Sequence, residues 1–273
     1  MHGYAANPFQ QPPEGSLRRC RAASRTFCTH AWPPQVRSPC VRSIVAVSLF
    51  LVRHGQASYA ADDYDQLSDL GYEQSRRLGH WLIHGGHRFG AVVTGGMRRH
   101  RQTADCVAEA FLAQGADWPE PLTDQRLAEF DHRAVFGAFM ARDPDDPVVV
   151  ASRSGHPRDV GAMLQAALLA WARDELPDVP ETWAVFGQRV RMAGERLRAL
   201  ADDTEVLVLS SGGVISRLVQ QALDVPDERA VDLNLSLRNS ALSELFSGSG
   251  RLRMRTWNTL PHLHGERAMW TYY

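Results

Sequence analysis

The chain contains no lysine: all 30 of its basic residues are arginines. Arginine-favouring codons in a GC-rich genome account for the bias, but it excludes chemistry. A P-loop needs a lysine on its phosphates, and pyridoxal-phosphate enzymes and Schiff-base aldolases need an amine nucleophile. Cysteine is also scarce. Cys20, Cys28 and Cys40 lie in the N-terminal segment, and only Cys106 falls in the periodic part of the chain, so neither a disulfide framework nor a zinc-ligand spacing emerges. A reducing cytoplasm is the expected compartment. The 11 histidines show no HExxH-like spacing, and no metal or other cofactor is expected. Charge of one sign is lacking too. A formal charge of -1 gives no global attraction to nucleic acid or a membrane surface, so any anion site must be local. The apolar run Ile44 to Val52 is too short to span a bilayer.

Residues 1 to 42 stand apart, with six arginines against one acid, Glu14, and clustered prolines at 12, 13, 33 and 34. They read as a transit peptide, a disordered tail or, preferably, an over-extended gene start, with the natural protein beginning near Val45 or Val47. From residue 47 to the end, the pattern alternates in the α/β manner. Buried strands are expected at Leu49–Val52, Ala91–Thr94 and Glu205–Leu209. Helices are expected at Asp69–Ile83, Arg98–Phe111, Val160–Arg173, Trp183–Leu200 and Val214–Leu223, with Cys106 a small core residue. Ala241–Phe246 and Leu252–Trp257 read as a hairpin. The expected architecture is a three-layer sandwich with a mostly parallel central sheet and a helical lobe, residues 131 to 200, inserted over the active site.

The first buried strand ends in Arg53-His54-Gly55. Open α/β sheets bind ligands at the carboxyl ends of their strands. A neutral imidazole is a nucleophile, a guanidinium is a planar fork for phosphate oxygens, and glycine lets backbone come close. Taken alone, the tripeptide describes a loop histidine and a surface charge at least as well as a site. Its neighbours change that balance.

LFLVRHGQAS (Leu49–Ser58) followed by LSDLGYEQSRRLG (Leu67–Gly79) resembles the histidine phosphatase superfamily, which includes the cofactor-dependent phosphoglycerate mutases. TGGMRRHRQTA (Thr94–Ala104) is similar to the family's second arginine motif and RLAEF (Arg126–Phe130) to its acidic motif. VLVLSSGGVIS (Val206–Ser216) is similar to its glycine turn, and WNTLPHL (Trp257–Leu263) to the tail of bacterial members. The resemblance runs from about residue 47 to 263. It implies that His54 takes the phosphoryl group as phosphohistidine and that Arg53 and Arg99 clamp the phosphate oxygens. Ser211 and Gly212 would bind the phosphate, and Glu129 would protonate the leaving oxygen, with Asp131 a rival. Arg98 and Arg101 flank Arg99 at a spacing that turns them elsewhere.

Position 211 departs from the family, which usually has a histidine before the glycine pair. A neutral hydroxyl in place of a cationic donor costs roughly 1–2 kcal/mol, or about 5–30-fold in rate, short of abolition. Ser211 reads either as a phosphate donor or as a plain N-cap, and His100, His132 and His156 are candidates to restore an imidazole in space. The implied function is a histidine acid phosphatase-type phosphomonoesterase acting on a small phosphorylated substrate. Two alternatives stand beside it: a phosphate-binding pseudo-enzyme, and a mutase-type phosphotransferase, which the absent Glu-Trp-Asn-like continuation after Gln56 disfavours. No nucleic-acid or membrane partner is implied, and a homodimer is left open.

Overall fold

The structure is a computed structural model that describes residues 48–58, 65–248 and 250–272. The chain divides into two units, Met1–Ser43 and Ile44–Tyr273. The readings made of residues 1 to 42, and of a start near residue 45, lie outside the described residues.

Fourteen named elements follow in the second unit: β1 (Ser48–Arg53), α1 (Asp69–His84), β2 (Phe89–Thr94), α2 (Arg98–Ala113), β3 (Leu122–Thr123), α3 (His132–Arg142), α4 (Pro147–Ser152), α5 (Pro157–Ala172), α6 (Trp183–Leu200), β4 (Glu205–Ser210), α7 (Gly212–Leu223), α8 (Asp227–Ser236), β5 (Leu242–Gly248) and β6 (Arg251–Thr259). The sheet order is β3-β2-β4-β1-β5-β6. Neighbours among the first four are parallel, whereas β5 pairs antiparallel with β1 and with β6. This is the expected α/β sandwich with a mostly parallel sheet.

Continuous apolar runs build the centre because both faces of the sheet are covered. On one face, Phe50, Val52, Val92 and Leu207 pack against Leu78 and Leu82 of α1 and Val107 and Phe111 of α2. On the other, Leu49, Leu51, Val93 and Val208 pack against Val190 and Leu197 of α6 and Ile215 and Val219 of α7. Successive strand residues point to opposite faces, which divides each run between the two cores. Cys106 is a buried free thiol whose pKa burial raises to about 11.

The 131–200 stretch divides in two. Helices α3, α4 and α5 form the lobe, while α6 lies in the layer that covers the sheet. Two named elements carry little sequence signal: β3, a two-residue edge strand, and α8, whose apolar residues Ala230, Val231, Leu233 and Leu235 are interrupted by charge.

Candidate active site

The site forms where β1 and β4, adjacent and parallel, end side by side, with Arg53 in register with Ser210. Past that point the chain of β1 stays pinned to its neighbours. His54 N donates to Ser210 O (3.0 Å), and Ser240 N donates to His54 O (3.1 Å). Gly55 N donates to the hydroxyl of Thr103 on α2 (3.2 Å), and that hydroxyl donates to Arg99 O (2.8 Å). Gly55 fits because nothing larger does. A Cβ there would lie 2.3 Å from Gly71 O.

His54 is buried, and its ring is held at both nitrogens. Nδ1 lies 2.7 Å from Gly55 O, and Arg99 Nε donates to Nε2 across 3.1 Å. A carbonyl only accepts, so the proton sits on Nδ1 and Nε2 carries the lone pair. Burial, then the charges of Arg99 and Arg53 and the neighbouring His100, hold the imidazole pKa well below its usual value. His54 is therefore neutral and presents a nucleophilic Nε2 at ordinary pH.

Arg99 comes from the first turn of α2 and is itself buried. Its Nη1 pairs with Asp65 at 2.7 Å and its Nη2 donates to Ser211 Oγ at 3.3 Å. Asp65 also accepts from Arg98 N at 2.9 Å, tying the start of α2 to the same carboxylate. Arg53 donates through Nη1 to Leu237 O, and its guanidinium carbon would lie 3.7 Å from a Cβ on Gly212. Arg98 and Arg101 point outward and are exposed.

Glu129 reaches the site from the segment after a 3₁₀ turn, Gln125–Leu127. That segment is clamped from two sides. Ser210 Oγ donates to Leu127 O (2.8 Å), and Arg189 of α6, paired with Glu181, donates to Arg126 O and Ala128 O at 2.8 and 2.7 Å. The carboxylate accepts from Gly213 N at 2.9 Å and from Phe130 N at 3.1 Å. These bonds and the arginine charges favour ionisation, but desolvation outweighs them and raises the pKa. Asp131, the rival acid, instead caps α3 by accepting from Ala134 N (3.0 Å).

Ser211 is the N-cap of α7 by backbone, yet its hydroxyl makes no capping bond. Its Oγ lies 2.7 Å from Nε2 of buried His100. Of the three candidate imidazoles, His100 thus meets Ser211, and its ring centroid is 5.7 Å from that of His54. His132 lines the pocket and is kept neutral by burial and by Arg99. His156 is exposed and caps α5. Asp65, Asn234 and the apolar wall carried no readable sequence signal: each reaches the site from a segment whose pattern describes only a loop, a polar helix or a core face.

These groups share a cavity of about 210 Å³. Arg53, His54, Arg99, Glu129, His132 and Asn234 supply its polar side. Phe130, Phe136, Val160, Leu164, Leu168 and Leu235 supply an apolar wall, much of it from α3 and α5. Among the described residues no group of His, Cys, Asp and Glu is arranged to hold a metal ion, and no helix is long and apolar enough to cross a membrane.

Comparison with known proteins matches residues 49–260 to the family described as histidine phosphatase superfamily (branch 1). The adenosylcobalamin/alpha-ribazole phosphatase of Salmonella typhimurium is 28% identical over 187 residues, which cover 65% of this chain and 80% of that protein. Among solved structures, the phosphoglycerate mutase of Bacillus anthracis superposes with a TM-score of 0.57 at 17% identity, covering 80% of this chain and 95% of its own. A mycobacterial glucosyl-3-phosphoglycerate phosphatase solved with inorganic phosphate superposes with a TM-score of 0.54 at 23% identity, covering 78% and 98%.

Proposed function

The chain belongs to the histidine phosphatase superfamily (branch 1) and is a phosphatase, and from that premise we propose a phosphomonoesterase that works through a phosphohistidine on His54. The observation that carries this reading is the His54 ring, neutral, with its Nε2 lone pair aimed at Arg99. A substrate phosphate entering between Arg53 and Arg99 takes over the hydrogen bond that Arg99 Nε now makes to His54 Nε2, which frees that nitrogen. Nε2 then attacks phosphorus, the P–O ester bond breaks, and Glu129 gives its proton to the departing oxygen. A raised pKa suits that acid role. In the second half, Glu129 takes a proton from water, the water oxygen attacks phosphorus, and the P–N bond breaks to leave phosphate and free His54. Positioning and charge stabilisation supply most of the rate in such transfers, and the arginines supply the charge. Ser211 and Gly212 complete the phosphate side: the hydroxyl lies 3.3 Å from Arg99 Nη2, and Gly212 admits both Arg53 and Asn234.

We assign the wall to the ester group. Among the described lining residues Arg53 and Arg99 are the permanent cations, and both face the phosphate end. The remaining surface is aliphatic and aromatic, so it suits a phosphomonoester whose organic part is small, neutral and apolar over one bearing a second anion. The buried thiol of Cys106 accords with a reducing compartment, which we take to be the cytoplasm.

The test is turnover of phenyl phosphate by the full chain between pH 4 and 8, with rapid acid- or base-quench trapping of labelled phosphate on protein. We expect base-stable, acid-labile label on His54 and turnover at least 10³-fold above His54→Ala, in line with the loss of a nucleophile. Turnover equal to that of His54→Ala with no trapped label would leave a phosphate binder in its place.

A further inference from the structure

We infer that His100 is a positioning residue that turns the Ser211 hydroxyl proton toward the phosphate, an inference that rests on the phosphatase reading of the same site. Ser211 has the extended backbone of an N-cap (φ -113°, ψ 169°) and precedes a twelve-residue helix, yet its Oγ does not cap it. The hydroxyl is instead turned to Nε2 of His100 at 2.7 Å and Nη2 of Arg99 at 3.3 Å. Both Ser211 and His100 are closed to solvent, at 1% and 0% exposure.

Which group donates follows from the other side of the ring. His100 Nδ1 is buried and has no hydrogen-bond partner among the described residues. It faces the backbone at Gly95, where a Cβ would come within 2.7 Å of it. Burial, with the charges of Arg99 and Arg101, holds the ring neutral, so it carries one N–H. A buried N–H without an acceptor is rarer and costlier than an acceptor without a donor. The proton therefore belongs on Nε2, which donates to Ser211 Oγ. Arg99 Nη2 donates to the same oxygen. A serine oxygen has two lone pairs and one proton. With both lone pairs taken, the O–H is the group left to give, and the anion held by Arg53 and Arg99 is its acceptor. With the opposite tautomer the serine would spend its proton on His100 and offer the substrate none. An imidazole on α2 thus acts through a hydroxyl on α7.

The experiment has a spectroscopic and a kinetic arm, both on the full chain. Two-bond ¹H–¹⁵N correlation of histidine-labelled protein, with His100 assigned by its loss in His100→Gln, is expected to show the Nε2–H tautomer. The Nδ1–H tautomer would overturn the inference whether or not the enzyme turns over, which separates its failure from that of the phosphatase reading. In the kinetic arm, phenyl phosphate turnover is expected to fall roughly 10–150-fold in Ser211→Ala, the range for losing one hydrogen bond to a charged group. His100→Ala is expected to fall by the same factor alone and to add nothing in the Ser211→Ala background. Independent, multiplying losses would overturn the inference. His100→Gln keeps a donor near the Nε2 position and is expected to stay within about threefold of the parent, as a role through a hydrogen bond requires. A His100→Gln as impaired as His100→Ala, with unchanged thermal unfolding, would contradict it.

Discussion

Two residues in the site hold pKa values pushed in opposite directions by the same burial. Desolvation disfavours charge on either group, so it lowers the imidazole of His54 and raises the carboxyl of Glu129. The outcome is a neutral imidazole, as the proposed nucleophile requires, beside a carboxyl that keeps its proton longer than a surface glutamate. Glu129→Gln removes that proton, and its effect depends on the leaving group. We expect a loss of about 10²–10⁴-fold on an alkyl phosphate such as phenethyl phosphate, and a much smaller one on p-nitrophenyl phosphate, whose phenolate leaves unprotonated. Equal losses on both esters would remove Glu129 from the acid role. Position 211 is also corrected at this scale. Restoring a histidine there looks favourable from the motif, but the hydroxyl sits 2.7 Å from His100 Nε2 and a second ring cannot enter that space. Ser211→His is therefore expected to be destabilised and inert, and the same change combined with His100→Ala to recover turnover. A fully active single variant would show that His100 can move aside.

At the scale of elements, the nucleophile's loop is set by a close approach to the start of α1. A Cβ on Gly55 would lie 2.3 Å from Gly71 O, and one on Gly71 would lie 2.1 Å from Gln56 O. Backbone cannot yield as a side chain can, so Gly71→Ala is expected to cost on the order of 1–3 kcal/mol by overpacking and to lower kcat by displacing the loop. Urea unfolding with parallel kinetics measures both, and an unchanged midpoint would contradict the contact. Helix α5 plays a different part. It brings Val160, Leu164 and Leu168 to the pocket on one face while burying Met163, Ala167 and Trp171 in the core. Leu164→Arg places a cation on the apolar wall. It is expected to raise kcat/KM for 3-phosphoglycerate relative to phenyl phosphate by at least tenfold, and no shift in that ratio would remove the wall from specificity.

At the scale of the whole molecule, buried neutral histidines set the response to acid. His54, His100 and His262 all have pKa values lowered chiefly by burial, His262 to about 3. The unfolded chain takes up their protons near pH 6.5, before the folded chain does. Stability therefore falls as pH drops below about 6.5, by up to about 1.4 kcal/mol per pH unit for each group, until its folded pKa is reached. Glu129 and Asp105, raised by burial, act in the opposite sense, but His132 is lowered as well, so four imidazoles stand against two carboxyls. We expect calorimetric Tm to fall steadily from pH 7 to pH 5, and His262→Gln to make that fall shallower. A Tm that is flat over this range would exclude protonation of the buried rings as the cause.

Periodicity and the order of short motifs were enough to establish the alternating α/β plan and the parallel centre, and they singled out Arg53, His54, Arg99, Glu129, Ser211 and Gly212 as the residues that the proposed site uses. Each of these is a local matter: an apolar run long enough to be buried, or a polar group next to the glycine that ends a strand. Element ends shifted by a few residues, and β3 and α8 were not legible because their stability comes from neighbours and not from pattern. Only the tertiary structure joined Asp65 to Arg99, laid α3 and α5 over the phosphate site, and put His100 against Ser211, 111 residues away along the chain. Those pairings depend on which helix faces which strand end, a non-local quantity. The sequence alone determined that Arg53-His54-Gly55 ends a buried strand, where the proposed phosphate site lies, and packing decided that an imidazole from another helix, His100, meets Ser211.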